Sequence, residues 1–407
     1  MSLDILFLGR LFPREKEDEI KSKMKTGMQD AANALQWNII DGFEENDFGT
    51  MKIINYLPVD AYPNGYTDKF IDGFTFQHTG KYDAQDVNVS CCNIFGIKRF
   101  INKMYFKKYI KKWAKEDNGK KKVILSYTAT SMFLSLVKLA KKYNKSIISG
   151  CIIADIPEFA TASTVKGIKK LYHRMQVKKC ANLYGNVDRY VLLTEQMAQK
   201  LKIESPHIVV EGIATTDDSA YSSQLAEKYQ NEKYILYSGT LNYKFGIGTL
   251  LDAFEEISDP DVKLMICGFG EAEELIKEKQ KNNNRIIFLG RVDRKDVLEL
   301  QKRATVLVNP RQNNEEFTKY SFPSKNLEYL SSGVPLVAYK LDGIPDEYDG
   351  YINYPTDDSA KTLSTEILKI CALTDEERTL LGKKAKDFVF TNKNKVAQAQ
   401  RIIEFIK

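Results

Sequence analysis

The stretch 320–335 reads YSFPSKNLEYLSSGVP and sets Lys325 three residues before Glu328. Pro323 is excluded from a helix interior, Ser324 is a good N-cap, and Gly333 with Pro335 beyond it marks a stop. The expected short helix therefore begins with Lys325 in its first turn and carries Glu328 one turn further on. A lysine beside free helix amides attracts phosphate oxygens. An ionised glutamate accepts hydrogen bonds only, which suits the vicinal hydroxyls of a ribose. Together they describe a nucleotide-binding edge. An i,i+3 ion pair on a surface helix has the same spacing. The flanking runs ATVLVNPR and GVPLVAY favour the first reading, because they place the pair at the end of a buried strand.

Three more stretches bear on an anionic ligand. YSGTLNYKFGIGTLLDAF follows a strand and opens a helix, so Gly239, Gly246 and Gly248 would let backbone amides approach a phosphate, with Thr240 and Lys244 in the same loop. Turn formation alone also explains such glycines. CGFGEAEEL supplies Gly268 and Gly270, but Glu273 occupies the third position of a dinucleotide fingerprint, and no P-loop pattern occurs. Arg291 and Arg311 stand at or beside strand ends. In the first half, Gly9 and Arg10 end the first strand, and Asp155 ends CIIAD. Asp155 is a strand-end acid expected to face a cleft, although strand-end aspartates also cap helices. His78, in FTFQHTGKY, is placed on a ligand-facing loop. Bland surface roles are expected for His173 and His207. Asp259-Pro260-Asp261 spells D-x-D before a strand and reads as a turn, so no metal is expected.

Positioning these groups requires alternating strands and helices. DILFLG, KKVILSY, KSIISGCIIAD, RYVLLT and HIVVEG punctuate the first half; KYILYSG, VKLMICG, RIIFLG, ATVLVNP and GVPLVAY repeat the pattern in the second. Continuous β-branched runs between helices indicate parallel sheets buried on both faces. With 407 residues the chain exceeds one ordinary core. The polar stretch 214–233 is the expected linker. The expected architecture is α/β, two Rossmann-like domains, 1–215 and 216–385, facing a cleft, followed by a helix in 386–407.

The longest uncharged apolar stretch, 123–137, falls short of the about twenty residues of a spanning helix, and MSLDILFLGR lacks the features of a signal peptide. The six cysteines show no metal-ligand spacing, and a cytoplasmic location is expected. Net charge is +6, but eleven Lys and Arg crowd into 98–122 against Glu116 and Asp117. Phe106, Tyr109, Ile110 and Trp113 fall at helical spacing among those lysines, and 166–179 adds a second basic cluster. Such a helix reads as a contact with an anionic membrane surface, or else as a core helix with a solvated lysine face. No nucleic-acid-binding motif is present.

In the order YSGTL, GIGTLLDAF, LMICGFGE, IIFLGRV, NPR and FPSKNLEYLSSGVPLV, the second half resembles the donor domain of retaining GT-B glycosyltransferases, the group 1, family-4-like enzymes that include capsule and exopolysaccharide builders. The first half is similar more loosely, through GRLFP, IIADIPEF, LLTEQM and VVEGI. The resemblance implies transfer of a sugar from a UDP- or GDP-linked donor to a glycan or lipid-linked glycan, with retention and same-face attack. It makes 1–215 the acceptor domain and 216–385 the donor domain, and the helix in 386–407 a segment that returns to the first domain. Asp155 is then expected to meet the acceptor hydroxyl or donor sugar, and Lys325, Arg291 and Arg311 the diphosphate. Glu328 then matches the ribose-binding glutamate, and the backbone of Gly290 to Val292 is expected to hold the base. Tyr320 stands where the family's first glutamate would be, with Glu315 or Glu316 as substitutes. Thr240 replaces the usual arginine, and Phe245 the usual lysine, with Lys244 one position early. A nucleotide-sugar epimerase of the same fold and a non-enzymatic basic binding protein remain as alternatives.

Overall fold

The computed structural model describes residues 2–27, 30–159, 167–214 and 221–407, the side chains of 168 and 169 excepted. The chain divides into two compact units: Met1–Ile213 joined by Lys395–Lys407, and Ala214–Asn394.

The first unit contributes β1 (Leu3–Gly9), β2 (Gly49–Asn55), β3 (Phe70–Ile71), β4 (Phe74–Phe76), β5 (Asp86–Asn88), β6 (Cys91–Cys92), β7 (Lys121–Tyr127), β8 (Ile148–Ile153), β9 (Arg189–Leu192) and β10 (His207–Val209). Eight form one sheet in the order β10-β9-β8-β7-β1-β2-β5-β4, with β3 and β6 paired separately. The sheet is parallel except at its edge, where β4 runs antiparallel to β5. Every residue of β1 is buried, which is why DILFLG is a continuous apolar run and not an alternating one.

The second unit contributes β11 (Lys233–Thr240), β12 (Val262–Phe269), β13 (Ile286–Gly290), β14 (Val306–Asn309), β15 (Leu336–Ala338) and β16 (Ile352–Asn353), all parallel, in the order β13-β12-β11-β14-β15-β16. Side chains alternate between the two faces of this sheet. Ile235 and Tyr237 enter one core with Leu264 and Ile266, while Tyr234 and Leu236 enter the other with Met265 and Cys267. In both units the strand order reverses direction at a central pair, β1 with β7 and β11 with β14. In open α/β sheets the C-terminal ends of such a pair form the crevice where ligands bind.

The boundaries differ from the expected ones. The Asp375–Asn392 helix continues past 385 and stays in the second unit, where Ala385 and Val389 fill the core. Gly382 lies so close to Gly333 that an added Cβ would come 1.8 Å from its carbonyl oxygen. Only the Lys395–Ile406 helix rejoins the first unit, burying Ala399, Ile402, Ile403 and Ile406 in that core. The expected linker 214–233 is partly structured, since Gln224–Lys228 is helical with Ser223 capping the Ala226 amide. Its residues 215–220 lie outside the described ones. No described helix is long and apolar enough to cross a membrane.

Candidate functional site

The crevice at the ends of β11 and β14 is held open by backbone constraints. Gly246 caps the Ile247–Glu255 helix at φ 82°, and a Cβ there would meet the Pro310 carbonyl oxygen at 1.9 Å. No other residue type fits this contact between the loops that follow the two strands. Gly268 is bound in the same way, because its Cβ would lie 1.8 Å from the Gly239 oxygen. The glycines of CGFG thus serve close strand-end packing. Gly248 has open space around it.

The Ser324–Ser332 helix enters this crevice. Pro323 occupies the cap position and no side chain caps the helix, so Ser324 is its first residue and not its N-cap. Proline fixes the φ suited to the chain's entry, which moves the start one residue earlier than expected. Gly333 ends the helix at φ 81°, as expected.

Lys325 Nζ donates to Glu328 Oε1 at 2.6 Å. Gln301 Nε2, fully buried, donates to the same oxygen at 2.7 Å and to Ser238 Oγ at 3.0 Å. Arg294 stands 3.4 Å from Oε2. Burial alone would raise the Glu328 pKa, but Lys325, Gln301 and Arg294 outweigh it and hold the carboxyl below its usual range. Ser238 is fixed by the buried Tyr329, whose hydroxyl receives the Ser238 amide at 2.8 Å and donates to the Ser238 carbonyl at 3.0 Å. The ionised Glu328 is thereby tied to the end of β11, with Oε2 toward the exposed Arg294.

A second group gathers beyond β14. Arg311 Nη2 donates to Ser321 Oγ at 2.8 Å, while its Nε is buried with no partner among the described residues. Burial lowers its pKa to about 10. Its guanidinium lies 5.0 Å from the Phe317 ring centre and 5.5 Å from that of Phe245. Lys244 stands 5.3 Å from each of the same two rings, so the lysine one position early reaches the same aromatic pair as Arg311. Glu316 and Tyr320 bound the short 3-10 turn that carries Phe317. Arg291 lies 4.1 Å over the Phe269 ring, which is 52% exposed at the end of β12. Val292 packs on the core, and the exposed Thr240 accepts the Tyr237 hydroxyl through its carbonyl at 2.9 Å. Asp259-Pro260-Asp261 is a turn, with the Asp261 amide donating to Asp259 Oδ1.

In the first unit, a cavity of about 780 Å³ opens at the β1/β7 crevice, lined by Arg10, Tyr127 and Asp155. Gly9 ends β1 just before Arg10, whose amide is held by Gln36 Oε1 at 2.9 Å. Asp155 is open to solvent on one side, yet the surrounding cavity wall desolvates it and raises its pKa. His173 also lines this cavity, with Nε2 3.0 Å from the Pro157 carbonyl, which gives it a wall position in place of the expected surface one.

His78 is not on a ligand-facing loop. Its side chain is fully buried between Asp86, 2.6 Å from Nδ1, and Glu44, 3.3 Å from Nε2. The aromatic stripe is not a membrane face either. Phe106, Ile110 and Trp113 are buried on the core side of the Lys98–Lys115 helix, and Trp113 Nε1 donates to Asp4 at 2.9 Å.

Sequence reasoning missed Gln301, Arg294, Phe269 and Phe317, and noted Phe245 only as a replacement for a lysine. Only Phe269, between two glycines at a strand end, carried a local signal.

A search of curated proteins gave no significant match. Among solved structures, sucrose-phosphate synthase from Thermosynechococcus elongatus superposes with a TM-score of 0.59 at 16% identity, covering 99% of this chain and 98% of that one. The Anabaena protein Alr3699/HepE in complex with UDP gives 0.61 at 15%, covering 99% of each. An E. coli structure described as trehalose-6-phosphate bound with UDP-2-fluoro glucose gives 0.63 at 9%, covering 100% and 99%. The fold is that of the GT-B glycosyltransferases, and residues 221–406 match the family Glycosyl transferases group 1.

Proposed function

We propose that the chain is a cytoplasmic hexosyltransferase that moves a sugar from a UDP- or GDP-linked donor to a glycan or lipid-linked glycan, with retention, in surface polysaccharide synthesis. The observation that carries this reading is the Glu328 carboxylate, kept ionised at the end of β11 within the matched group 1 segment. Alr3699/HepE, which shares the fold, was solved with UDP-glucose.

In this reading Glu328 accepts from the ribose hydroxyls. Lys325 keeps its bond to Glu328 and offers its remaining N–H donors to the diphosphate. Arg311 and Lys244 offset the growing negative charge, and Arg291 on Phe269 provides a flat cationic surface beside it. No metal is invoked in this scheme. The acceptor hydroxyl attacks the anomeric carbon on the face that the phosphate leaves. The bond to the phosphate oxygen breaks, and that oxygen takes the hydroxyl proton. Asp155 orients the acceptor hydroxyl.

Association with an anionic membrane is proposed through a different face from the aromatic stripe. Ile97, Phe100, Met104, Leu171 and Met175 are 46 to 66% exposed and are interleaved with Arg99, Lys103, Arg174 and Lys178. Lys166 of the second cluster lies outside the described residues.

Calorimetric titration with UDP-, GDP- and ADP-sugars, together with donor-hydrolysis assays, tests the activity. Binding and slow hydrolysis of one donor are expected. If none binds and none is hydrolysed, the reading is wrong.

A further inference from the structure

From Val87 to Lys115 the chain has no Asp or Glu, and the Lys98–Lys115 helix within this stretch is crowded with lysines. Lys103, Lys107, Lys111 and Lys115 follow one another at i,i+4, with Lys108 and Lys112 on the next row. All are exposed except the half-buried Lys103. Among the described residues none of them has a carboxylate within 4.0 Å. Elsewhere lysines on helix surfaces meet an acid one turn away, as Lys21 does with Glu17, Lys277 with Glu274, Lys302 with Glu299 and Lys369 with Glu366.

Left to itself this arrangement is unfavourable, because like charges at i,i+4 weaken a helix. The helix dipole offsets that for Lys112 and Lys115 in the last turn, but its reach stops short of Lys103, Lys107 and Lys108. Lys179, on the Ile168–Ala181 helix, adds to the crowding. Burial first, and then the charges of Lys179 and Lys107, lower the Lys103 pKa. Toward the C-terminal end, the Lys52 pKa is lowered by burial and then by Lys112, against the weaker pull of Asp86, Glu116 and Asp83.

The shape of the row says what kind of anion fits it. Successive lysines rise about 6 Å along the axis, close to the length of one sugar unit in an extended chain, and Lys107 to Lys115 span about 12 Å. The rings of this half are withdrawn, with Trp113 buried and Tyr109 half-buried. A single-stranded nucleic acid would need exposed aromatic rings for its bases. A bilayer would need apolar side chains, and the exposed ones here, Ile97, Phe100, Met104 and Tyr105, all precede Lys107.

We propose that the lysine ridge from Lys107 to Lys115 is a docking surface for an acidic glycan chain, whose anionic groups pair with the successive lysines. That the polymer is a glycan rests on the glycosyltransferase reading; the polyanion surface does not.

The test is titration of the full chain with polygalacturonate, dextran, single-stranded DNA and phosphatidylglycerol vesicles at two salt concentrations. Polygalacturonate should bind and dextran should not, and the affinity should fall steeply with salt as counterions are released. Lys107→Gln, Lys108→Gln and Lys111→Gln should each weaken it about two- to five-fold, the range of one exposed ion pair, and the triple variant about ten-fold or more. The melting temperature of the triple variant should not fall, since these side chains are exposed and repel one another. Polygalacturonate affinity equal in the parent and the triple variant overturns the proposal, and so does tighter binding of dextran or of the DNA. A triple variant that loses vesicle binding but keeps polygalacturonate assigns the ridge to the membrane and overturns it too. Titration of the same samples with the nucleotide sugar reports on the donor reading separately. Donor binding without polygalacturonate binding overturns the ridge alone; the converse supports the polyanion surface and removes the transferase reading.

Discussion

Glu328→Gln isolates one charge at the proposed ribose contact. The amide keeps an oxygen that accepts from Gln301 and Lys325, so the bridge to Ser238 survives. Lost are the charge opposite Lys325, whose side chain is 36% exposed, and opposite the still more exposed Arg294. Solvent screens pairs of this kind, so stability should fall by only about 0.5–1 kcal/mol. Donor binding should suffer more. A hydrogen bond to a charged acceptor contributes roughly 1 kcal/mol more than one to a neutral acceptor. Two ribose hydroxyls therefore give about 2 kcal/mol, or roughly thirty-fold in Kd. The assay is calorimetric titration of both proteins with the preferred nucleotide sugar, beside a thermal melt. Unchanged donor affinity with an unchanged melt would refute the ribose assignment. A large loss of melting temperature would show instead that Glu328 is chiefly a structural group.

Further outcomes follow from the same geometry. Gln301→Leu strands Ser238 Oγ and one Glu328 contact in a buried site, so it should cost about 1–3 kcal/mol in denaturant titrations and also weaken donor binding. Burial alone would lower the His78 pKa, but Asp86 and Glu44 outweigh it and raise the value from 6.5 to about 9. Because the folded pKa lies above the unfolded one, this stabilisation is complete below pH 6.5 and fades as pH rises through 9, by roughly 3 kcal/mol in all. A His78→Gln variant should melt with a flatter pH profile across that window; an identical slope would contradict the triad. Gly246→Ala forces a Cβ into the Pro310 carbonyl at positive φ and should cost about 3 kcal/mol or more, checked by chemical unfolding. Phe100→Ser should reduce flotation with phosphatidylglycerol vesicles and leave the melt unchanged, since Phe100 is 66% exposed. Flotation equal to that of the parent protein would remove the membrane face.

The strands were legible because both faces of each parallel sheet are covered, so runs such as DILFLG and KYILYSG carry little but apolar residues. The Lys325 and Glu328 pair was legible for the opposite reason: two charges beside a buried strand end stand out. What escaped depended on partners distant in sequence. Glu328 owes its ionisation partly to Gln301, 27 residues away, and His78 its burial partly to Glu44, 34 residues away. The basic helix shows a subtler limit. Its apolar positions fall on two faces, Phe106, Ile110 and Trp113 on one and Ile97, Phe100 and Met104 on the other, and periodicity does not say which one the core takes.

The return of the Lys395–Ile406 helix has a consequence for how the chain acquires its shape. Residues 214–394 form a continuous unit and can close their cores as soon as they are made, while the first unit lacks Ile402, Ile403 and Ile406 from its core until those residues have followed. The unit begun earlier is thus completed after the one that interrupts it. Within the second unit, the Ala214 amide donates to the Lys393 carbonyl at 2.8 Å, so the unit's two ends are closed side by side and the Lys395–Ile406 helix is released next to the stretch of chain that entered.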